Sequence, residues 1–597
     1  MTSCTAHTNK QGLSIWLICL MSVSWVLGQN HLSGLTDSLT AYMARNHIPA
    51  AMVSVVSSET VLFSGGLGMA NIEEGEPASA KHVFRLGSIS KSFTALAMLS
   101  LLEEKGLSLN TPVKQIDPDL PIVNNWEVEV PVTIGHLLEQ TTGFDDFHLH
   151  ALYNKGDSVV PPAIEMVRSH KNSYVCRWKP GTRKAYSNPG YVMLGHLIEK
   201  LSGRPYGAYI ASAILEPLGM NSSEYYFHIQ GGPAGEFCSN AEDMSKYLQF
   251  VLQGDSNKLN TLNLPHTIYE RIEHAQTNVA AQQGLPYGYG LGVFSVWKNG
   301  YLFIGHDGGI DGFSSRYLYS READLAVAVS INRQGNATAM AHEILNFMLG
   351  EGPKPDRKTV GIPEQMAGKL EGLYEYHSPR NQLISFTDKM FAGISLDVQD
   401  DYVVTKSILG KARDTLRHAG DGLFYKNEEE IPSALVFDTE DGQSGWWMNE
   451  SYWLPSSRTL RLIKFFGVLL SILGIISFGI YGVISELVRL ISKKRDHSIS
   501  HYLLLGSCLS FGLMFLAFAN TMENVRNAGE MNLSSILFLS APFLMIVCTL
   551  ASVLSWRNIW QGHIGRKIYY SWVLLSCIIM LVYLWQIGFV GLKLWSY

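Results

Sequence analysis

Ser88 and Lys91 stand three residues apart in the stretch Phe84-Arg-Leu-Gly-Ser88-Ile-Ser-Lys91-Ser-Phe-Thr-Ala, at the start of a helical pattern that runs to Lys105. On a helix, residues i and i+3 share a face, so the Lys91 amine can reach the Ser88 hydroxyl and accept its proton. A serine hydroxyl is a poor nucleophile until a base does this. A helix start adds free backbone N–H groups and a positive dipole, which favour the negative charge that develops during acyl transfer. That dipole, with partial burial, also lowers a lysine pKa towards that of a working base. The tetrapeptide recurs at Ser295-Val-Trp-Lys298, just before Asn299-Gly300. The second copy lies on a strand pattern, where i and i+3 point to opposite faces, so the reactive pair is expected at Ser88 and Lys91.

Two further stretches carry chemistry. Pro180-Gly181-Thr-Arg-Lys-Ala-Tyr186-Ser187-Asn188-Pro-Gly190-Tyr191 is a polar loop entering an apolar helical run. Tyr186 could pass a proton to a leaving group and Asn188 could bind a substrate amide, although the same residues also read as a capped helix start. Gly305-His306-Asp307-Gly308-Gly309-Ile-Asp-Gly312 falls between two strand patterns. Its glycines would let a substrate backbone approach closely, and an edge strand can bind an extended peptide through main-chain hydrogen bonds. His306, Gly308 and Gly309 are therefore candidate substrate-binding residues, with a plain Gly-rich turn as the bland alternative.

The elements that must position these residues occupy the first part of a 597-residue chain. Met52 to Val56 and Val61 to Phe63 are apolar runs split by Ser57-Ser-Glu59, a hairpin pattern. Tyr289 to Val296, Tyr301 to Ile304, Ser314 to Tyr319 and Leu325 to Ile331 are strand-like, and Asn299-Gly300 is a strong hairpin turn. Strands at both ends with helices between predict an α+β domain whose sheet is assembled from its two termini. A Pro/Gly/Lys-rich linker follows, then a β-rich stretch from Gly372 to Pro455 with turns at Ser378-Pro379, Asp400-Asp401, Gly420-Asp421-Gly422 and Asp441-Gly442.

The chain closes on four apolar segments, about Phe465 to Ile484, His501 to Asn520, Leu533 to Ser555 and Ile568 to Leu592, each long enough to cross a bilayer as a helix. Arg489, Lys493, Lys494 and Arg495 follow the first, and Arg557, Arg566 and Lys567 follow the third. These basic loops are expected in the cytoplasm. At the N-terminus, Lys10 precedes an apolar run from Leu13 to Leu27 that ends Val26-Leu-Gly28, which reads as a signal peptide cleaved after Gly28. Export of the N-terminal domain gives the same orientation, with both chain ends outside.

The first 461 residues hold 36 basic and 48 acidic residues, a balance of about −12, so a nucleic-acid partner is not expected. Seven cysteines are too few for a disulfide scaffold; Cys176 and Cys238 either pair or are buried thiols. No CxxC, HExxH or Cys/His cluster has metal-ligand spacing, so neither a metal nor another cofactor is expected.

The three stretches, in this order and spacing, resemble the serine β-lactamase and penicillin-binding-protein superfamily, in its class C-like branch with D-aminopeptidases and esterases. The likeness covers about Leu32 to Leu349. It is supported by His136-Leu-Leu-Glu-Gln-Thr-Thr-Gly143-Phe, Gly232-Pro-Ala-Gly235 with Ser239-Asn-Ala-Glu-Asp243, and Tyr287-Gly-Tyr-Gly-Leu-Gly292. The resemblance implies a nucleophile at Ser88, a base at Lys91, proton transfer at Tyr186 and an oxyanion hole from the backbone N–H groups of Ser88 and Gly309. Where β-lactamases usually carry Lys-Thr-Gly on the last strand, His306-Asp-Gly308 stands here. A neutral histidine holds a carboxylate less firmly than lysine does. The β-rich region is similar to the lipocalin-like domain often appended to these hydrolases.

The expected organisation is a signal peptide at residues 1–28, a hydrolase domain at 29–349, a linker at 350–366, a small β domain at 367–457 and a membrane domain of four helices at 458–597. The expected function is a membrane-anchored, extracytoplasmic serine hydrolase working through an acyl-enzyme on Ser88. Its expected partners are the lipid bilayer and an amide or peptide substrate containing D-amino acids or resembling peptidoglycan. Esterase and β-lactamase activity are alternatives within the fold, and a non-catalytic binding or sensor protein is the alternative outside it.

Overall fold

The computed structural model of the chain describes residues 34–148, 162–225, 232–254, 262, 264, 267–408, 410, 413–492, 497–523, 530–555, 557 and 563–594. The signal peptide expected at residues 1–28 lies outside the described residues, as do Lys493, Lys494 and Arg495 of the basic loop.

Apolar runs without alternation need cover on both faces, and those at residues 50–56 and 325–331 receive it. β1 (Ala50–Val56) and β2 (Val61–Asn71) form the expected hairpin, with the short β3 (Glu76–Pro77) beyond. β4 (Phe84–Gly87) leads into helix α1 (Ser90–Lys105), and a second long helix is α2 (Asn188–Ser202). β5 (Glu224–Tyr225) and β6 (Phe237–Ser239) join β4 in a small sheet, and α3 (Ala241–Gln253) follows. Then β7 (Phe294–Lys298), β8 (Tyr301–Ile310), β9 (Phe313–Ser320) and β10 (Leu325–Ile331) return to lie beside β1. The main sheet has seven strands in the order β3-β2-β1-β10-β9-β8-β7, so both ends of the domain build it. Met52, Val56, Ala326 and Ala328 face the core around α1, α2 and α3. Val53, Val55, Val327 and Val329 face α4 (Ala337–Leu349) and the helix at residues 34–45.

Three boundaries differ from the sequence pattern. α1 begins at Ser90 rather than Ser88, because Ser88 and Ile89 form the turn that joins it to β4. The strand read from Tyr289 begins at Phe294, since Gly292 takes a positive φ of 74° before it. The Gly-rich segment after Ile304 is not a turn but the second half of β8, which pairs with β9 through Gly309↔Ser314. Its glycines permit this. A Cβ at Gly305 would come within 1.9 Å of the Tyr317 carbonyl, and one at Gly308 within 1.9 Å of the Leu86 carbonyl.

Beyond residues 350–363, which form no helix or strand, eight antiparallel strands close a barrel in sequential order. They are β11 (Gly372–Tyr376), β12 (Gly393–Val398), β13 (Tyr402–Ser407), β14 (Arg413–Gly420), β15 (Leu423–Lys426), β16 (Ala434–Asp438), β17 (Ser444–Met448) and β18 (Ser451–Ser456). This is the up-and-down closure of a lipocalin-like barrel, filled by Tyr374, Leu396, Val403, Leu416, Phe424 and Trp446. A strap between β11 and β12 carries the short helix α5 (Ser385–Phe391), which the sequence pattern does not announce.

The four apolar segments are helices long and apolar enough to cross a membrane: α6 (Arg458–Ser492), α7 (Ile499–Glu523), α8 (Leu533–Leu554) and α9 (Ile564–Gln586). Phe478, Leu504, Phe538, Met545, Val573 and Cys577 pack between them, while residues such as Leu516, Val547 and Trp585 point outward and stay exposed. Cys176 and Cys238 are both free and buried, so no disulfide joins them.

Candidate active site

The turn between β4 and α1 presents Ser88 at the foot of a nearly all-buried helix. Lys91 N–H donates to the Ser88 carbonyl at 3.0 Å, which closes the first turn and brings the two side chains together. Lys91 Nζ lies 3.2 Å from Ser88 Oγ, 2.7 Å from Asn188 Oδ1 and 2.6 Å from the Ala234 carbonyl oxygen. Lys91 has no exposed surface, and burial drives its pKa well below the ordinary lysine value. Asp146 pulls that pKa back up, and Arg380 pushes it down. The result is an amine held by acceptors yet biased towards its neutral form.

α2 supplies the opposite side. Ser187 caps it, its Oγ accepting from Gly190 N–H at 3.3 Å, with Pro189 in the first turn. The capped-start reading of this loop therefore holds. Tyr186, immediately before the cap, lines the same cleft as Ser88, and Lys91 Nζ lies 4.8 Å from its ring centre. Burial raises the Tyr186 pKa, so the phenol keeps its proton at neutral pH. Asn188 stands behind Ser88 rather than in the lining of the open cleft. Its Oδ1 accepts from Lys91 and its Nδ2 donates to Asp146 Oδ1 at 3.0 Å, so it positions the amine.

β8 forms the remaining wall. A Cβ on Gly87 would lie 2.8 Å from Gly309 N, and Gly87 has a positive φ of 54° that favours glycine. This close approach sets the backbone at Ser88 beside that at Gly309. His306 is 2% exposed, with Nδ1 against the Asp307 carbonyl at 2.5 Å and Nε2 against the Tyr289 hydroxyl at 2.9 Å. Burial, with help from Lys91, pushes its pKa down to about 3. A neutral ring beside a carbonyl donates from Nδ1, leaving Nε2 to accept from Tyr289. Both nitrogens are engaged within the protein, so the ring lines the cleft without offering it a free donor.

Ser88, Tyr186, His306, Gly308 and Gly309 share one open cleft of about 530 Å³, with Lys91 and Asn188 directly behind Ser88. Sequence reasoning missed several of its other residues. Arg380, on the strap, has its Nε 2.5 Å from Asp146 Oδ2, and its guanidinium stacks 4.6 Å from the Tyr186 ring centre. Lys184 pairs with Glu450 of the barrel at 2.6 Å, and Glu450 and Asn449 line the cleft. Two signals were present: Asp146 closely follows the His136-to-Phe144 stretch, and Arg380 follows the Ser378-Pro379 turn. Nothing local joins residues 234 positions apart.

The Beta-lactamase family model matches residues 35–347, more than half of the chain. The chain belongs to the β-lactamase family. Protein flp of Staphylococcus aureus (strain N315) is 26% identical over 339 residues, covering 51% of this chain and 64% of that protein. Penicillin-binding protein 4* of Bacillus subtilis (strain 168) is 32% identical over 200 residues, covering 33% and 42%. The chain thus spans less than two thirds of the length of these relatives. The octameric penicillin-binding protein homologue from Pyrococcus abyssi covers 71% of this chain and 99% of its own, at 25% identity and a TM-score of 0.46.

Proposed function

We propose that the protein is a membrane-anchored, extracytoplasmic serine hydrolase that forms an acyl-enzyme on Ser88 and cleaves an amide bond in a peptide containing D-amino acids. The observation that carries this reading is a buried Lys91 amine, depressed in pKa, 3.2 Å from Ser88 Oγ. In the neutral form, Lys91 can take the Ser88 proton while two N–H bonds remain on Asn188 and Ala234.

The steps follow from the positions of the groups. Ser88 Oγ bonds to the substrate carbonyl carbon as its proton passes to Lys91 Nζ. The oxyanion is held by the backbone N–H groups of Ser88 and Gly309. Collapse breaks the C–N bond, and the leaving amine takes a proton from Tyr186, which Lys91 replenishes. Water then attacks the ester carbonyl and gives a proton back through the same pair. The Ser88 C–O bond breaks, Ser88 is reprotonated, and the acid leaves.

The name of the Bacillus relative supports a penicillin-recognising site and hence D-amino-acid peptides. An extracytoplasmic placement is supported by the signal-peptide pattern of residues 1–28; the basic residues do not decide it, since Arg489, Arg566 and Lys567 at one end of the bundle are matched by Arg458, Arg461 and Lys464 at the barrel end. The test is incubation of the detergent-solubilised protein and a Ser88→Ala control with a fluorophosphonate and a fluorescent penicillin, with adducts mapped by mass spectrometry. Labelling of Ser88 by both is expected. Labelling by the phosphonate alone would move the reading to an esterase or ordinary peptidase, and labelling by neither would sink it.

A further inference from the structure

A second cavity lies far from Ser88 in sequence and chemistry, where the barrel meets the apolar helices. It encloses about 550 Å³ between α5, the start of α6 and the end of α9, within the size range of small-molecule sites. One part of its lining is apolar and comes from the helices: Ile463, Val468, Ile578, Ile579 and Val582. Ile463, Ile579 and Val582 are exposed, so this wall opens along the helix flanks where acyl chains would lie.

The other part is cationic. Lys389, Arg461 and Lys464 line it against one carboxylate, Glu375. Arg461 is 7% exposed, and its Nη2 donates to the carbonyls of Met390 and Ala392, both at 3.1 Å. Glu375 approaches Arg461 Nη1 only to 3.9 Å and accepts a hydrogen bond from Ser456 instead. Among the described residues Arg461 Nη1 has no hydrogen-bond partner, and Lys389 and Lys464 make no ion pair. One carboxylate, Glu375, thus faces three cationic side chains around this cavity.

We infer that this cavity binds one anionic glycerophospholipid of the surrounding bilayer, with its phosphate among Lys389, Arg461 and Lys464 and its acyl chains along α6 and α9. The apolar wall selects an intact lipid over a free phosphate. The excess of positive charge selects an anionic over a zwitterionic head.

The test is native mass spectrometry of the full chain, delipidated in a nonionic detergent and titrated with phosphatidylglycerol or with phosphatidylcholine of matched chains. One phosphatidylglycerol per chain is expected, retained about tenfold more tightly than phosphatidylcholine, and Lys389→Glu combined with Lys464→Glu should erase the preference. Both lysines are exposed, and an unchanged thermal midpoint checks that the variant is folded. Equal retention of the two lipids by the wild-type protein overturns the inference whatever the variant does. So does a preference that the folded double variant keeps, or full competition by glycerol phosphate at equal concentration.

Discussion

The chain carries Ser-x-x-Lys twice at the candidate cleft, at Ser88–Lys91 on the turn into α1 and at Ser295–Lys298 on β7. Both serines line the cleft. In the helical copy the lysine folds back to within 3.2 Å of the serine and is fully buried. In the strand copy, Ser295 lies opposite Ile304 and donates to the Gly288 carbonyl at 3.3 Å, while Lys298 lies opposite Tyr301 and stays partly exposed. The same four-residue pattern thus yields a serine and lysine in hydrogen-bond reach in one place and an ordinary strand in the other. Backbone periodicity decides between them, because i and i+3 converge on a helix turn and diverge on a strand.

Mutating the helical copy should have the largest effects. Ser88→Ala is expected to lower the rate of covalent labelling and of peptide turnover by about 10⁴-fold or more. Retained turnover would break the comparison outright. Lys91→Ala should cost about 10³-fold in acylation rate by stopped-flow, with the fold kept. A loss of less than tenfold would mean that another group takes the proton.

On the strand side, His306 sets a pH dependence of stability rather than of rate. Its pKa is about 3 in the fold against 6.5 for an ordinary histidine, so below pH 6.5 the unfolded chain binds a proton that the folded one refuses. The stability contribution is therefore complete above pH 6.5 and falls by about 1.4 kcal/mol per unit as pH drops towards 3. Melting between pH 7.5 and 5 should show this decline. His306→Gln should flatten it in part, since His136 and His342, both lowered to about 4, contribute in the same direction.

Arg380→Gln makes a subtler test of the helical copy. Arg380 lowers the Lys91 pKa and also neutralises Asp146, which raises it. Removing the guanidinium should shift the rising limb of the acylation rate to higher pH by about half a unit. A shift to lower pH would contradict the assigned electrostatics. The smallest effect is expected from Ser295→Ala and Lys298→Ala, each within about twofold of wild type in acylation rate.

How much of this was legible in the sequence depends on the distance over which each signal acts. The Ser88–Lys91 pair, the Asn299-Gly300 hairpin and the four long helices rest on contacts within a few residues, and their patterns are plain. β1 and β10 were legible as strands, and their adjacency followed from the argument that both ends of the domain share a sheet. The continuation of β8 through its glycines was not, because it depends on the Leu86 and Tyr317 carbonyls approaching from other strands. The environment of His306 was equally hidden. Its neutrality was anticipated, but the Tyr289 hydroxyl that occupies Nε2 lies 17 residues away, and the one ring N–H is taken by the Asp307 carbonyl. Arg380 and Glu450 reach the cleft only because the barrel docks on the hydrolase domain, through contacts such as Arg183 stacked 4.3 Å from the Tyr452 ring centre.

The strap between β11 and β12 is also a ruler. At one point Arg380 is bound to Asp146 in the cleft, and six residues later Phe386 packs against Phe589, just past the end of α9, with ring centres 5.3 Å apart. Six residues span at most about 22 Å when fully extended, so Arg380 and that bundle end can never separate further while both contacts hold. The height of Arg380 above that end of the apolar bundle is thereby capped. A peptide anchored at that end of the bundle would therefore need no more than about six extended residues to reach the level of Arg380.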